Sequence, residues 1–186
     1  MLLTCILCSC SQPNHIKGTS RIEETSVYIV PNSYFEYTGT DVSEAVDSYI
    51  ELGAEYCTHA EVVDEGMKLE LTPTQRDNLV RKNNEFISEL EASFESNPLY
   101  SYIPDENYKQ VTFFFDENIS TLTQFNAVLG VVAGYGLNYI LINNTTEWNV
   151  YLVINNCHTG KEVMHANIPS ETISYGKEEW EESYND

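Results

Sequence analysis

Across 186 residues the chain is 42% hydrophobic and 12% aromatic, which supplies apolar material for one core and leaves a second independent domain cramped. Nine Lys and Arg face 29 Asp and Glu, a formal net charge of −20 that repels phosphate backbones and anionic lipid within the Debye length, so nonspecific nucleic-acid binding is excluded. Charged residues make up 20%, too few for wholesale disorder; outside the N-terminus no run reads as approaching the roughly 18 uncharged residues of a membrane span, so a soluble body is expected.

The first ten residues, Met1-Leu2-Leu3-Thr4-Cys5-Ile6-Leu7-Cys8-Ser9-Cys10, are apolar. They give way at Ser11-Gln12-Pro13 to a polar stretch that reads as loop until about Val27. Leu7-Cys8-Ser9-Cys10 resembles the lipobox that closes a bacterial lipoprotein signal peptide, with Leu three places before the cysteine and a small Ser directly before it. The resemblance, to small bacterial extracytoplasmic lipoproteins of unassigned activity, implies a diacylglyceryl group on Cys10. It also implies that residues 1–26 are signal and polar tether, with residues 27–186 held outside the cytoplasm as one α+β domain. No Lys or Arg precedes Cys10, so the expectation is a signal whose basic start lies upstream of Met1. Two other readings stand beside this one: an ordinary hydrophobic N-terminus, and Cys5-x-x-Cys8-x-Cys10 as metal thiolates in a reducing compartment.

Tyr28 to Val30 is a candidate first strand. Residues 41–52 read as an amphipathic helix, since Val42, Ala45, Val46, Tyr49 and Ile50 recur at helical spacing, Asp41-x-x-Glu44 offers a capping box and Gly53 a stop. His59–Val63 and Met67–Leu71 alternate as two strands joined at Asp64-Glu65-Gly66. Thr72-Pro73-Thr74-Gln75 combines a cap, a Pro suited to the first helical position and a Gln that reaches back, which predicts a long helix. Leu79, Val80, Phe86, Ile87, Leu90 and Phe94 form its buried stripe, and Asn97-Pro98 ends it.

Val111-Thr112-Phe113-Phe114-Phe115 is β-branched and aromatic enough for a central strand buried on both faces. A helix capped by Thr121 with Gln124 is expected from about Leu122 to Tyr135, apolar on nearly every side, too short to cross a bilayer, with Gly130-x-x-x-Gly134 packed closely on the sheet. Strands are expected at Asn138–Ile142, Trp148–Asn155 and Glu162–Ala166, and beyond Pro169 the acidic chain is expected to fray. This order argues for an α+β fold, a mostly antiparallel sheet packed against about three helices.

Cys57-Thr58-His59 and Cys157-His158 invite a zinc reading, because two thiolates and two imidazoles make a common tetrahedral set. Structural zinc pairs usually leave two or more residues between ligands, and neighbours on a strand point apart, so Cys57, His59, Cys157 and His158 are metal candidates on spacing that argues against them. A Cys57–Cys157 disulfide and two separate buried thiols are the alternatives. There is no Gly-x-Ser-x-Gly, His-Glu-x-x-His or Gly-rich phosphate loop, so no catalytic residue is assigned.

Glu44, Asp47, Glu51 and Glu55 fall three or four apart on the first helix with no basic partner among them. On the long helix Arg76, Arg81 and Lys82 precede Glu85, Glu89, Glu91 and Glu95, the reverse of what the macrodipole favours, with Arg81 and Glu85 spaced to pair. Such a surface recognises a cation or a basic partner protein, mimics nucleic acid, or keeps the chain soluble. Tyr100, Tyr102 and Tyr108, interleaved with Pro98, Pro104, Asp105 and Glu106, read either as a contact loop or as cover for the edge of the sheet. The functional expectation is a lipid-anchored, non-enzymatic binding or accessory module that meets the membrane through its lipid and needs no cofactor. An extracytoplasmic metal-dependent or thiol hydrolase using Cys157 and His158, and an acidic DNA-mimic inhibitor, are the alternatives.

Overall fold

The computed structural model describes residues 23–92, 94, 97–118 and 122–185; Cys10, its flanking signal and tether, and the Thr121 cap lie outside them. In chain order the described elements are β1 (Ser26–Pro31), α1 (Asn32–Thr38), α2 (Val42–Leu52), β2 (His59–Val63), β3 (Gly66–Leu71) and α3 (Pro73–Glu91). Then follow β4 (Ser101–Ile103), β5 (Gln110–Phe115), α4 (Leu122–Asn143), β6 (Val150–Asn156), β7 (Glu162–Ile168) and α5 (Lys177–Tyr184). The fold is α+β, and its strands divide into a three-stranded antiparallel sheet, β1-β3-β2, and a four-stranded mixed sheet, β4-β5-β6-β7.

The hairpin of β2 and β3 and the cap of α3 form as the sequence predicts, while α2 is capped by Asp41 without the return bond from Glu44 that a full capping box has. Asp41 accepts the amides of Ser43 and Glu44 at 2.8 and 3.2 Å, and Thr72 and Gln75 close their box in both directions. β1 joins the hairpin beside β3, where Pro31 faces Gly66. Gly66 has φ 140°, and a Cβ there would lie 2.2 Å from the carbonyl oxygen of Val30, so both conformation and space demand glycine.

In the mixed sheet β5 is interior, antiparallel to β4 and parallel to β6, with Phe113 beside Ile154 and Phe115 beside Asn156. Val111, Phe113 and Phe115 are fully buried, while Thr112 and Phe114 on the other face are half-buried rather than enclosed. Parallel neighbours need a crossover, and α4 provides it. The strand expected at Asn138–Ile142 is instead the last part of α4, which runs 22 residues without a charge. By length and composition α4 is long enough to cross a membrane, contrary to the sequence expectation, but 56% of its apolar window is buried inside the protein. It packs against α3 and α1 and touches both sheets, through β1 and β6.

The close approach of α4 is to α3 and not to the sheet. A Cβ on Gly130 would lie 2.6 Å from Leu90, and one on Gly134 2.7 Å from Ile87. The buried side of α3 runs through Gln75, Leu79, Asn83 and Ile87 at i, i+4 spacing, with Asn83 and Ile87 meeting α4; Phe86, expected in the stripe, is 48% exposed. Asn83 bonds the Gly134 carbonyl at 2.7 Å and Asn138 at 2.9 Å, and Asn138, wholly buried, donates to Asn84 at 2.7 Å. Among the described residues no buried side-chain nitrogen or oxygen lacks a partner.

The segment expected to fray forms α5. Glu179 accepts the Gly176 amide at 2.7 Å at its start, and Trp180 and Ser183 turn inward against β6 and β7. α1, β4 and α5 are elements that the sequence pattern does not announce.

Two substitutions test these constraints by urea unfolding. Gly66→Ala is expected to cost ~3 kcal/mol through strain at the β1–β3 junction. Asn138→Ala is expected to cost ~2 kcal/mol by leaving the α3 amides short of a partner, whereas Ile142→Ala, at an exposed position, costs less than ~1 kcal/mol.

Candidate functional site

The parallel register places the residues that follow β5 and β6 side by side. Cys157 extends the pairing by one step, its amide donating to the Phe115 carbonyl at 2.7 Å. Asp116, Cys157 and His158 are thereby collected at the carboxyl ends of two adjacent parallel strands, the location where open α/β sheets usually take ligands. One donor atom from each lies within 4.8 Å of the other two.

Each residue is held by its own surroundings. Asp116 is 9% exposed, and its Oδ1 accepts the Tyr100 hydroxyl at 2.5 Å and the Asn118 amide at 2.8 Å. Its Oδ2 faces His158, whose Nε2 is 3.9 Å away, beyond a hydrogen bond. The Cys157-His158-Thr159-Gly160 turn is tied down by Asn156: this buried side chain accepts the His158 amide at 2.9 Å and donates to Ser183 of α5 at 2.8 Å. Thr159 donates to the Ser183 carbonyl at 2.9 Å, and Gly160 closes the turn at φ 75°.

Burial pushes the Cys157 thiol up, and the charges of Asp116 and Glu117 add to the shift. Reactive thiols need electropositive surroundings, so this environment opposes a Cys nucleophile. Tyr100 is likewise raised, first by burial and then by its bond to Asp116. Beside the cluster Tyr184 donates to Glu117, which lowers Glu117 and pushes the phenol up to about 12. Glu117, Tyr175, Trp180 and Tyr184 line a cleft of about 500 Å³ next to it.

The four-residue candidate metal set, which the sequence spacing already argued against, is not formed. Cys57 is buried after α2 and its thiol is raised by burial, while His59 lies on β2 of the other sheet, 3.7 Å from Glu61. Cys57 and Cys157 are both free thiols, so the disulfide is absent too. Asp116 takes the place of the missing partners.

The tyrosines, read from sequence either as a contact loop or as cover for the edge of the sheet, pack against the protein. Tyr100 is 9% exposed and stacks edge-on to Phe115 at 5.2 Å; Tyr102, on the edge strand β4, packs on Phe113 at 5.7 Å. Tyr108 bonds Asn84 and meets the ring of Tyr135 at 5.3 Å. Glu44, Asp47 and Glu51 are exposed on α2, Glu55 is exposed in the turn beyond it, and among the described residues no ion pair engages them.

The fold and cluster define an α+β protein with a carboxylate, a thiol and an imidazole gathered at the ends of a parallel strand pair. No protein-family model matches the chain, and no match is found among curated proteins or solved structures.

Tyr100→Phe removes a bond to a buried carboxylate without changing ring volume. It is expected to lower unfolding stability by ~2 kcal/mol in denaturant titration while leaving the far-ultraviolet dichroism unchanged.

Proposed function

We propose that this chain is a binding module held outside the cytoplasm by a lipid on Cys10, and that it takes its ligand at the cluster of Asp116, Cys157 and His158. The observation that carries the reading is the convergence of three different donor groups beside a cleft, with the carboxylate fixed by Tyr100 and Asn118. Binding is favoured over thiol chemistry because the acidic, buried surroundings of Cys157 keep its proton in place. Nucleic acid is disfavoured as the ligand by the net charge of −20. The exposed carboxylates of α2 offer a face to which a basic protein can dock.

One further reading, a metal-dependent hydrolase, is favoured by the same three donors, since a fourth position open to water is the pattern of hydrolytic metal centres. Metal-dependent turnover of a panel of chromogenic esters and phosphoesters, lost on Asp116→Asn, would select it over binding alone.

The tether has its own test. Cells given a clickable fatty acid are expected to label the chain, and Cys10→Ala is expected to abolish the label and release the protein from the membrane fraction. A wild-type chain that stays unlabelled in the cytosolic fraction contradicts the reading.

A further inference from the structure

We propose that Asp116, Cys157 and His158 are three ligands of a single zinc-type metal ion, with the fourth position left to water. This rests on the binding reading of the same site and names the ligand. Among the described residues no other trio of such donors lies so close together.

Distance is the first argument. Asp116 Oδ2 and His158 Nε2 are 3.9 Å apart, too far to bond each other. Around a tetrahedral zinc ion with bonds of about 2.0 to 2.3 Å, neighbouring donors stand ~3.3 to 3.7 Å apart. The carboxylate and imidazole are therefore close to that spacing already, the thiol lies within 4.8 Å of both, and His158, with 44% of its side chain exposed, is free to close the remaining gap.

Preparation of the carboxylate is the second. Asp116 has 12% of its side chain exposed, and both bonds it accepts fall on Oδ1, which leaves Oδ2 as the oxygen aimed at the cluster. A hydroxyl held against a ligating carboxylate is the usual outer support of a metal site, and Tyr100 fills that part as a positioning residue.

Charge and softness identify the ion. On binding, Cys157 loses its proton to solvent, so one carboxylate, one thiolate and a neutral imidazole cancel a dication. A thiolate with an imidazole suits zinc, whereas calcium and magnesium require shells built mainly from oxygen. The surrounding charge of −20 raises the local concentration of any cation.

Cobalt(II) is the direct probe, because a thiolate ligand produces a sulfur-to-cobalt charge-transfer band. The full chain is taken with Cys5, Cys8 and Cys10 replaced by Ser, reduced, stripped with chelator and titrated with cobalt(II), then with zinc(II). The expected result is one ion per chain, a near-ultraviolet charge-transfer band with tetrahedral visible bands, and their loss on adding zinc(II).

Cys157→Ser should abolish the charge-transfer band and Cys57→Ser should keep it. Asp116→Asn and His158→Ala should weaken affinity more than ~100-fold, and Tyr100→Phe by ~10-fold. Circular dichroism on every variant separates loss of a ligand from loss of the fold. A folded chain that gives no charge-transfer band, or a band that survives Cys157→Ser, overturns the metal site. Either result leaves the tethered binding reading to its own labelling and fractionation test.

Discussion

The amide of Cys157 donating to the carbonyl of Phe115 closes the parallel pairing of β5 with β6, and most of the architecture follows from that pairing. Two parallel neighbours cannot be joined by a tight turn, so the chain must leave the sheet, travel back and re-enter. α4 is the return path, and it runs through the interior, in contact with β1 of one sheet and β6 of the other. That position explains its composition. A helix with neighbours on most sides has no use for a charged face, and it needs small residues wherever another side chain comes close. Gly130 and Gly134 admit α3, and Gly136 admits Trp148, whose ring a Cβ there would approach to 2.5 Å. The indole in turn donates to Ser33 of α1 at 3.2 Å, so the crossover ties the first helix to the second sheet. The asparagines between α3 and α4 supply direction where apolar packing alone would allow sliding.

Acidity plays little part in cohesion. Exposed pairs such as Arg81–Glu85 and Lys177–Glu181 are screened by solvent and contribute little, and the α2 carboxylates have no ion-pair partner among the described residues. The stability of the chain rests on its core, where Phe94, Phe113 and Phe115 meet ring to ring at 5.3 to 5.7 Å. The surplus negative charge is instead a property of the outside, available for keeping copies apart and for attracting cations. Near the cluster it acts on chemistry as well: burial pushes the Cys157 thiol up, and the charges of Asp116 and Glu117 add to the shift.

Local signals in the sequence were legible, and long-range ones were not. The caps at Asp41 and Thr72 and the hairpin across Gly66 rely on contacts within a few residues, and all are found where the pattern puts them. Asn138–Ile142 is the instructive failure. Asn, Tyr, Ile, Leu and Ile in a row have the composition of a strand, yet they finish a helix because α3 offers Asn138 its partners and both sheets offer apolar neighbours. That helix completes a strand-helix-strand unit, which brings Asp116 beside Cys157. Seen alone, Asp116 is one of 29 acidic residues. Cys157 and His158 stand out in the sequence as a pair, but nothing local links them to Asp116, 41 residues earlier, which the parallel register brings beside them. α5 escaped notice for a related reason: its acidic composition describes the outward face, while Trp180 and Ser183 on the inward face decide that it packs.

The claim on which all this turns is that β6 lies parallel to β5 in the register that bonds Cys157 to Phe115. A through-hydrogen-bond scalar coupling between the Cys157 amide nitrogen and the Phe115 carbonyl carbon, measured on isotopically labelled protein, reads that contact directly. The account predicts a resolved coupling and an amide strongly protected from exchange. A Cys157 amide that exchanges freely and couples to no carbonyl, in a folded chain, contradicts it.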